Sequence, residues 1–549
     1  MNRVKKTISI LLAAVMLLTL TGCQGQQPQP TDQPTTEPTA EPTTEPTEPA
    51  LIAAPVDDNY RTFYQIFVGS FSDANRDGIG DLRGIINRFD YLNNGKHDGT
   101  SLDVQGIWLS PIFTSPSYHK YDAKDYYQID WRFGTEEDLK ELISLCKERN
   151  VKLILDLAIN HTSTQHEWFV KFKNARLIGD KEDPYFDFYS CVTTAEKLGG
   201  VTYQKIAGID CWYECNFSGD MPELNYDNEA VRQAVLDVAK YYLDLGVDGF
   251  RFDAVKYIYY GNTARSVEFW QWYMDELHKI DPDIYCVGEC WSGDTEILDY
   301  YPAMNCFNFA MSQAEGVIAS AAKGFAISKY TNYIESLQQK ILAKNPKGML
   351  MPFLSNHDMD RIGGVFILEN NMRMAANLYL LCAGSPVIYY GEEIGMRGSR
   401  GSENTDANRR LAMLWGDDDL VRNPEGSTYS ADKQIQTTVA DQVADENSLY
   451  SYYCKLLNIR HRYPAIARGV YTGISVGEKN LGGFLIDYQG EKLLLLHNNS
   501  TEALTVDLSA CSDLEGVSIT ALCEAVGMDT AFLEGAVLTV GPQTSVILK

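Results

Sequence analysis

Short apolar runs recur along the central part of the chain, and amphipathic stretches separate them. The runs are Phe63–Val68, Val104–Pro111, Val151–Leu157, Val247–Asp253, Ile284–Gly288, Met304–Phe309, Leu350–Leu354 and Val387–Tyr390. Their shortness and near-continuous apolar character predict strands buried on both faces. Glu136–Glu148 and Ala230–Leu245 instead repeat with helical spacing. Strands alternating with helices predict βαβ units and a parallel sheet. Eight such units predict a closed (β/α)8 barrel. An open doubly wound sheet stays as the alternative, because counting strands does not distinguish the two.

Two stretches break the alternation. Between the third strand and the next helix lies a long insertion rich in aromatic residues and Asp, which reads as a small inserted domain. After Pro464 the pattern shortens to alternating segments such as Gly483–Asp487, Lys492–His497 and Val537–Val540, which predicts a C-terminal β-sandwich. The expected fold class is α/β: a (β/α)8 TIM barrel over 51–161 and 229–466, a domain inserted after the third strand over 162–228, and an antiparallel β-sandwich over 467–549.

The N-terminus carries a different pattern. MNRVKKTISILLAAVMLLTLTGC has a basic start, an apolar run Thr7–Leu20 and small residues before Cys23. It reads as a secretory signal over 1–22, too short in its apolar part to span a bilayer. Leu20-Thr21-Gly22-Cys23 resembles a bacterial lipobox, which implies cleavage before Cys23 and a lipid on its thiol. Residues 24–50 repeat PTTEPT-like units with almost no apolar residue. They cannot bury a core and read as an extended tether. These segments together imply a globular body at the extracellular face of the cell membrane, touching the membrane only through its lipid.

The 549-residue chain is 45% hydrophobic, ample for a large core and more than one domain. Its formal net charge of −27 repels nucleic acid and anionic membranes and suits a neutral substrate. No nucleic-acid partner is expected, and a monomer is the default. The 33 tyrosines fill cores or offer flat faces to sugar rings. The 12 cysteines are spread out rather than arranged as a framework, and most read as buried small hydrophobes. Cys211 and Cys215 are spaced for a local bridge or half a metal site, with no second cluster to complete a zinc set.

The charges set into the apolar runs carry the candidate chemistry. In GFRFDAVKY, residues 249–257, Arg251 and Asp253 share one face of a strand while Phe250 and Phe252 share the other. Asp156 to His161 end the third strand, Glu289 ends the fifth in VGECW, and Asn356-His357-Asp358 end the seventh in FLSNHDMD. Tyr121 and Asp122 follow the second, in HKYDAKDY. The C-terminal strand ends of such a barrel line one cleft, so these charges converge on a wet rim. Three carboxylates with an Arg and two His suit glycosyl transfer. One carboxylate attacks the anomeric carbon, while a carboxylic acid protonates the leaving oxygen and then deprotonates water. The Arg keeps the nucleophile ionised, and neighbouring carboxylates raise the proton affinity of the acid. Asp156 reads as a support for its neighbours, and His161 or His357 taken singly would more often be structural.

GIWLSPIF, DLAINH, MPELN, GFRFDAVKY, VGECW, FLSNHD and YYGEEIGM follow one another in this order. With them, residues 58–549 resemble the α-amylase family, glycoside hydrolase family 13. The resemblance implies Asp253 as nucleophile, Glu289 as general acid/base and Asp358 as transition-state stabiliser. It implies Arg251 as the partner of the nucleophile, His161 and His357 as hydrogen-bonders of the sugar in subsite −1, and Tyr121 as that subsite's stacking platform. Asp122 would support Tyr121, with Arg361 offered as the partner of Asp122. Ala254 and Lys256 resemble α-amylases acting on α-1,4 bonds, and Lys256 is assigned to substrate binding. MPELN is closer to intermediate and neopullulanase-like members than to the QPDLN of oligo-1,6-glucosidases. Lys120 stands where Gly is usual before Tyr121, which implies a changed mouth to the subsites. Trp291, Trp212 and Tyr257 are candidate outer platforms. The expected substrates are starch and maltooligosaccharides, cut internally with retention. A neopullulanase or maltogenic enzyme, an exo-acting glucosidase, an oligosaccharide transferase and a non-catalytic starch-binding lipoprotein are the alternatives.

Residues 73–81, DANRDGIGD, place oxygen donors at alternate positions with a Gly for the turn. Gly84 at the twelfth position excludes an EF-hand. The segment resembles the calcium loop of the oligo-1,6-glucosidase-like branch, which implies a structural Ca2+ held by the side chains of Asp73, Asn75, Asp77 and Asp81 and the Ile79 carbonyl. A second family calcium site would use Asn160, but Tyr257 stands at its usual backbone partner, so that site stays open.

Overall fold

The structure is a computed structural model that describes residues 56–366 and 368–549. The expected signal, Cys23 and the tether lie outside the described residues. The barrel sheet runs in chain order and all its ladders are parallel. Phe63–Ile66 pairs with Gly106–Leu109, which pairs with Lys152–Leu157. Gly249–Phe252, Tyr285–Gly288 and Asn305–Cys306 follow. Val387–Tyr389 returns to the other edge of Phe63–Ile66.

The seventh barrel position differs from its expected strand. Residues 350–354 form no ladder, only a single parallel bridge from Phe353 to Val387. Pro352 is the physical reason, since it has no N–H to give a ladder. Its carbonyl still accepts from Val387 N at 2.9 Å, and Met351 O accepts from Asn308 N at 3.4 Å. Hydrogen bonds therefore continue around the barrel.

Helix Glu136–Glu148 starts on a reciprocal cap between Thr135 and Asp138 and buries Leu139, Leu142, Ile143 and Cys146 along one stripe. Helix Glu229–Leu245 stops at Gly246, whose φ of 105° lies in the left-handed region. The segment between barrel strands three and four contains helix Glu167–Ile178 and a sheet ordered Cys191–Val192, Trp212–Glu214, Tyr203–Lys205. Cys211 forms its disulfide with Cys191 rather than with Cys215, which is buried and unbridged. Antiparallel pairing of the first two of these strands brings the Cα atoms of Cys191 and Cys211 within 6.0 Å, the ordinary span of a disulfide.

Beyond Arg468 two antiparallel sheets face each other. One is ordered Val470–Ser475, Leu481–Tyr488, Glu491–Asn498, Thr544–Leu548, Leu522–Gly527, and the other Leu504–Asp507, Val537–Val540, Ala531–Glu534. The period of two divides the central strands between two cores. Leu494 and Leu496 point into the sandwich with Val506, Leu538 and Val540, while Leu493 and Leu495 join the core shared with the barrel.

Candidate active site

Strand register brings the charged residues together. Asp156 is paired directly with Arg251, and Leu157 with Phe252. Arg251 is fully buried, and its Nη1 reaches Asp156 Oδ1 at 2.8 Å and Asp253 Oδ1 at 2.7 Å. Its Nη2 lies 3.6 Å from Glu289 Oε2. The chain turns sharply after Asp253. Ala254 lies in the left-handed region, φ 52° and ψ 41°, and its N–H donates to Glu289 Oε2 at 3.0 Å. A non-glycine residue there is strained, and such strain is held only where the surroundings fix it.

A relay of hydrogen bonds joins this cluster to the end of the seventh segment. Gln65 Nε2 donates to His357 Nδ1 at 2.7 Å, which places the imidazole proton on Nε2. That Nε2 meets Tyr121 Oη at 2.5 Å, and Tyr121 donates onward to Asp156 Oδ2 at 2.8 Å. Trp108 Nε1 donates to the same carboxylate oxygen at 3.1 Å. His357 Nε2 also stands 3.1 Å from Asp358 Oδ2.

The carboxyls differ in proton affinity because their surroundings differ. Burial pushes Glu289 up to about 8; Arg251 opposes this, while Asp253 and Asp358 add to it. Burial likewise pushes Asp156 up to about 7, against its contact with Arg251. Burial also acts against ionised Asp358, yet the neighbouring His357, Arg410 and Arg251 hold that carboxyl well below its usual range. Burial pushes His357 down to about 3, so the ring is neutral near pH 7. His161 is lowered by burial too, and its Nε2 is buried without a protein partner.

Several sequence expectations change. Arg361 does not pair with Asp122. Its guanidinium lies against the Tyr389 and Tyr390 rings, and its Nη1 and Nε donate to the Tyr390 and Arg409 carbonyls at 2.5 and 2.9 Å. Asp122 instead accepts from Ser115 Oγ at 2.6 Å and from Ser117 Oγ. Lys120 does not face the mouth of the cleft: it is buried and paired with Asp130 Oδ2 at 2.6 Å. Its φ of 69° is one that Gly takes more readily. Lys256 Nζ donates to the Trp291 carbonyl at 2.7 Å. The Trp212 face is covered by Lys197 Nζ at 3.8 Å, so it offers no open platform there. Asn160 is buried, with its carbonyl accepting from Leu224 N at 3.0 Å.

Sequence reasoning missed Arg410, which is nearly buried. Its Nη2 donates to Asp358 Oδ1 at 2.7 Å, its Nε to the His357 carbonyl at 3.0 Å and its Nη1 to Tyr118 Oη at 3.1 Å. The only local signal is the Arg409-Arg410 pair in a loop far along the chain from Asp358.

In the 73–81 loop every donor side chain also braces the backbone. Asp73 accepts from Arg76 N and Gly78 N at 2.6 and 2.7 Å. Asn75 and Asp77 accept from the N–H two residues on, at 2.9 and 2.8 Å. Asp81 caps helix Leu82–Asn87 through Gly84 N at 2.6 Å. Among the described residues no three His, Cys, Asp or Glu are gathered as a metal set. The all-oxygen donor chemistry of the loop suits Ca2+, and carboxylate and amide oxygens keep further lone pairs.

A closed parallel barrel whose strand ends gather a guanidinium-paired aspartate, a protonated glutamic acid and a second, ionised aspartate defines the class of barrel glycosidases. The family description "Alpha amylase, catalytic domain" matches residues 65–469. The chain belongs to this α-amylase family, glycoside hydrolase family 13. It is 34% identical over 451 residues to Alpha-amylase 3 of Dictyoglomus thermophilum, spanning 79% of this chain and 84% of that one. It is 28% identical over 522 residues to an oligo-1,6-glucosidase of Bacillus cereus, spanning 81% and 91%. Among solved structures, Amy13B of Eubacterium rectale superposes with a TM-score of 0.82 at 33% identity, covering 90% of this chain and 96% of its own.

Proposed function

We propose that this enzyme hydrolyses internal α-1,4-glucosidic bonds of starch and maltooligosaccharides with retention of configuration. The observation that carries the chemistry is that the guanidinium of Arg251, besides its contact with Asp156, reaches both the nucleophile and the acid: Asp253 at 2.7 Å and Glu289 at 3.6 Å, the latter keeping its proton up to about pH 8. Two carboxyls spanned by one guanidinium accord with the separation of about 5–5.5 Å that retention requires.

Asp253 Oδ attacks the anomeric carbon while the Glu289 proton passes to the glycosidic oxygen. The C–O bond breaks, the leaving chain departs as an alcohol, and the sugar is held as an ester of Asp253. Glu289, now a carboxylate, takes a proton from water, whose oxygen attacks the same carbon and frees Asp253. Arg251 balances the nucleophile's charge. Asp358, kept ionised by Arg410, grips sugar hydroxyls as positive charge develops on the ring. His161 Nε2, buried and unpartnered, is available to another hydroxyl. The Tyr121 ring is the subsite −1 platform, stacked on His357 with centroids 5.3 Å apart.

The test is reducing-sugar release from amylose with chromatography of early products. Mixed maltooligosaccharides support internal cleavage; glucose alone from the start overturns it in favour of an exo-acting glucosidase. A chain that binds starch but releases nothing is the non-catalytic lipoprotein. We further propose that the 73–81 loop holds a structural Ca2+, supported by its donor chemistry. The lipobox motif supports anchorage through Cys23 and an extracellular place, tested by whether Cys23→Ala releases the protein into the medium.

A further inference from the structure

Asp358 sits on a segment that no sheet holds. Its stretch of the barrel makes a single bridge, from Phe353 to Val387, and then runs irregularly from residue 354 to Arg361. Arg251, by contrast, lies in a strand paired on both sides. A carboxylate that meets charge developing on a sugar ring needs a backbone fixed in advance. At Asp358 something other than a ladder has to fix it.

The fixing comes from residues 398–410, in the loop beyond the eighth strand, Val387–Tyr389. Gly398 O accepts from Arg361 N at 2.8 Å, and Arg409 O accepts from Arg361 Nε at 2.9 Å. Arg400 N donates to Asp360 Oδ1 at 3.0 Å. Arg409 stands at the centre of these contacts. Its Nη1 donates to the Asp358 carbonyl and its Nε to Asp360 Oδ1, each at 2.7 Å. The Asp358 N–H donates to Asn356 Oδ1 at 2.9 Å, so both backbone groups of the residue are engaged.

Arg409 is itself braced. Asp406 Oδ1 accepts from the same Nη1 at 2.9 Å, and Asp406 also receives Arg400 through a two-pronged contact, Nε and Nη2 at 2.9 Å each. Such a fork fixes direction as well as distance. The Arg409 side chain is 15% exposed, but Asp360 is 47% exposed and Arg400 43%. Ion pairs this open to water add little stability. Their consequence is geometric: they set where the Asp358 carboxylate stands.

We infer that Arg409 is a positioning residue of the glycosidase reaction: with Asp360 and Asp406 it clasps the backbone of Asp358 and sets where that carboxylate meets the sugar ring. This rests on the glycosidase reading above and extends it from the carboxylate to its support. The two adjoining arginines divide the work, Arg410 acting on the Asp358 carboxylate and Arg409 on its carbonyl.

Fluoride release from α-maltosyl fluoride tests this, because the good leaving group keeps slow variants measurable while the demand on Asp358 remains. Arg409→Met is expected to lower kcat about tenfold with KM within about twofold, the pattern of a displaced transition-state contact. Asp360→Ala lowers kcat in the same way, and Asp360→Asn, which keeps an acceptor for Arg409 Nε and Arg400 N, recovers most of that loss. In an Asp358→Ala background, Arg409→Met is expected to cost less than about twofold more, since the residue it positions is gone. A further tenfold loss in that background marks a general structural role and overturns the inference. Wild-type kcat in Arg409→Met or in Asp360→Ala overturns it too. A wild-type chain that releases neither fluoride from this substrate nor reducing sugar from amylose removes the glycosidase reading itself, and this inference with it.

Discussion

Arg410 is the residue whose removal tests the site most sharply. Arg410→Met keeps much of the side-chain length but deletes the guanidinium. Three hydrogen bonds from the cation go with it: one to the Asp358 carboxylate at 2.7 Å and two to neutral acceptors, the His357 carbonyl and Tyr118 Oη. A hydrogen bond to a charged group is worth about 1.5–3 kcal/mol net. The Asp358 side chain is 29% exposed, so water makes good part of the loss, and we take about 2 kcal/mol. If Asp358 acts only on the transition state, this is about thirtyfold in kcat/KM. The pH profile gives the independent check. Arg410 is among the groups that hold Asp358 well below its usual range, so its loss lets that proton affinity rise. The acid limb of kcat/KM moves to higher pH, a shift that misfolding alone does not produce. Arg410→Lys returns a positive charge without the planar fork and recovers part of both effects. Activity within twofold of wild type, with the acid limb in place, refutes the reasoning.

Asp253→Asn and Glu289→Gln are each expected to lower kcat by several powers of ten while the melting temperature stays close to that of the wild type; retained turnover in either variant removes that residue from its role. In the wild type, kcat/KM declines as pH rises through about 8, because Glu289 must carry its proton to act as acid. Stripping Ca2+ with a chelator is expected to lower the melting temperature, and re-addition to restore it; scanning calorimetry checks this, and a temperature indifferent to both removes the ion. Glu392 is buried against Tyr379 and Tyr453, and burial pushes it from 4.5 up to about 8. A carboxyl raised in this way contributes stability that is complete below about pH 4.5 and lost as pH climbs to about 8. Glu392→Gln should therefore flatten the melting temperature across that window, and an unaltered slope counts against the assignment.

The order of strands and helices is legible in the sequence because each depends on local periodicity. Glu136–Glu148 forms a helix over the range its pattern gives, and the strand Gly249–Phe252, which carries Arg251 and ends just before Asp253, shows its alternation in GFRF. The rim residues could be gathered from sequence because the barrel carries its strand ends to one side. The sequence also left clear errors. Residues 350–354 read as a strand, but one proline stops their ladder. Cys211 has a near neighbour in sequence and a different partner in space.

What the chain determined by itself is therefore whatever is set within a few residues: the alternation, and the carboxyl, guanidinium and imidazole groups at strand ends. Tertiary structure alone decided which of these groups touch. Arg410 reaches Asp358 from a loop 52 residues later, while Arg361, only three residues on from Asp358, turns away to the backbone of Tyr390. It also decided protonation, since Asp358 and Glu289 are both acids of one rim but only Asp358 lies against Arg410. The physical reason is that periodicity is a property of neighbouring residues, whereas burial and charge pairing depend on distances through space, which exist only once the barrel has closed.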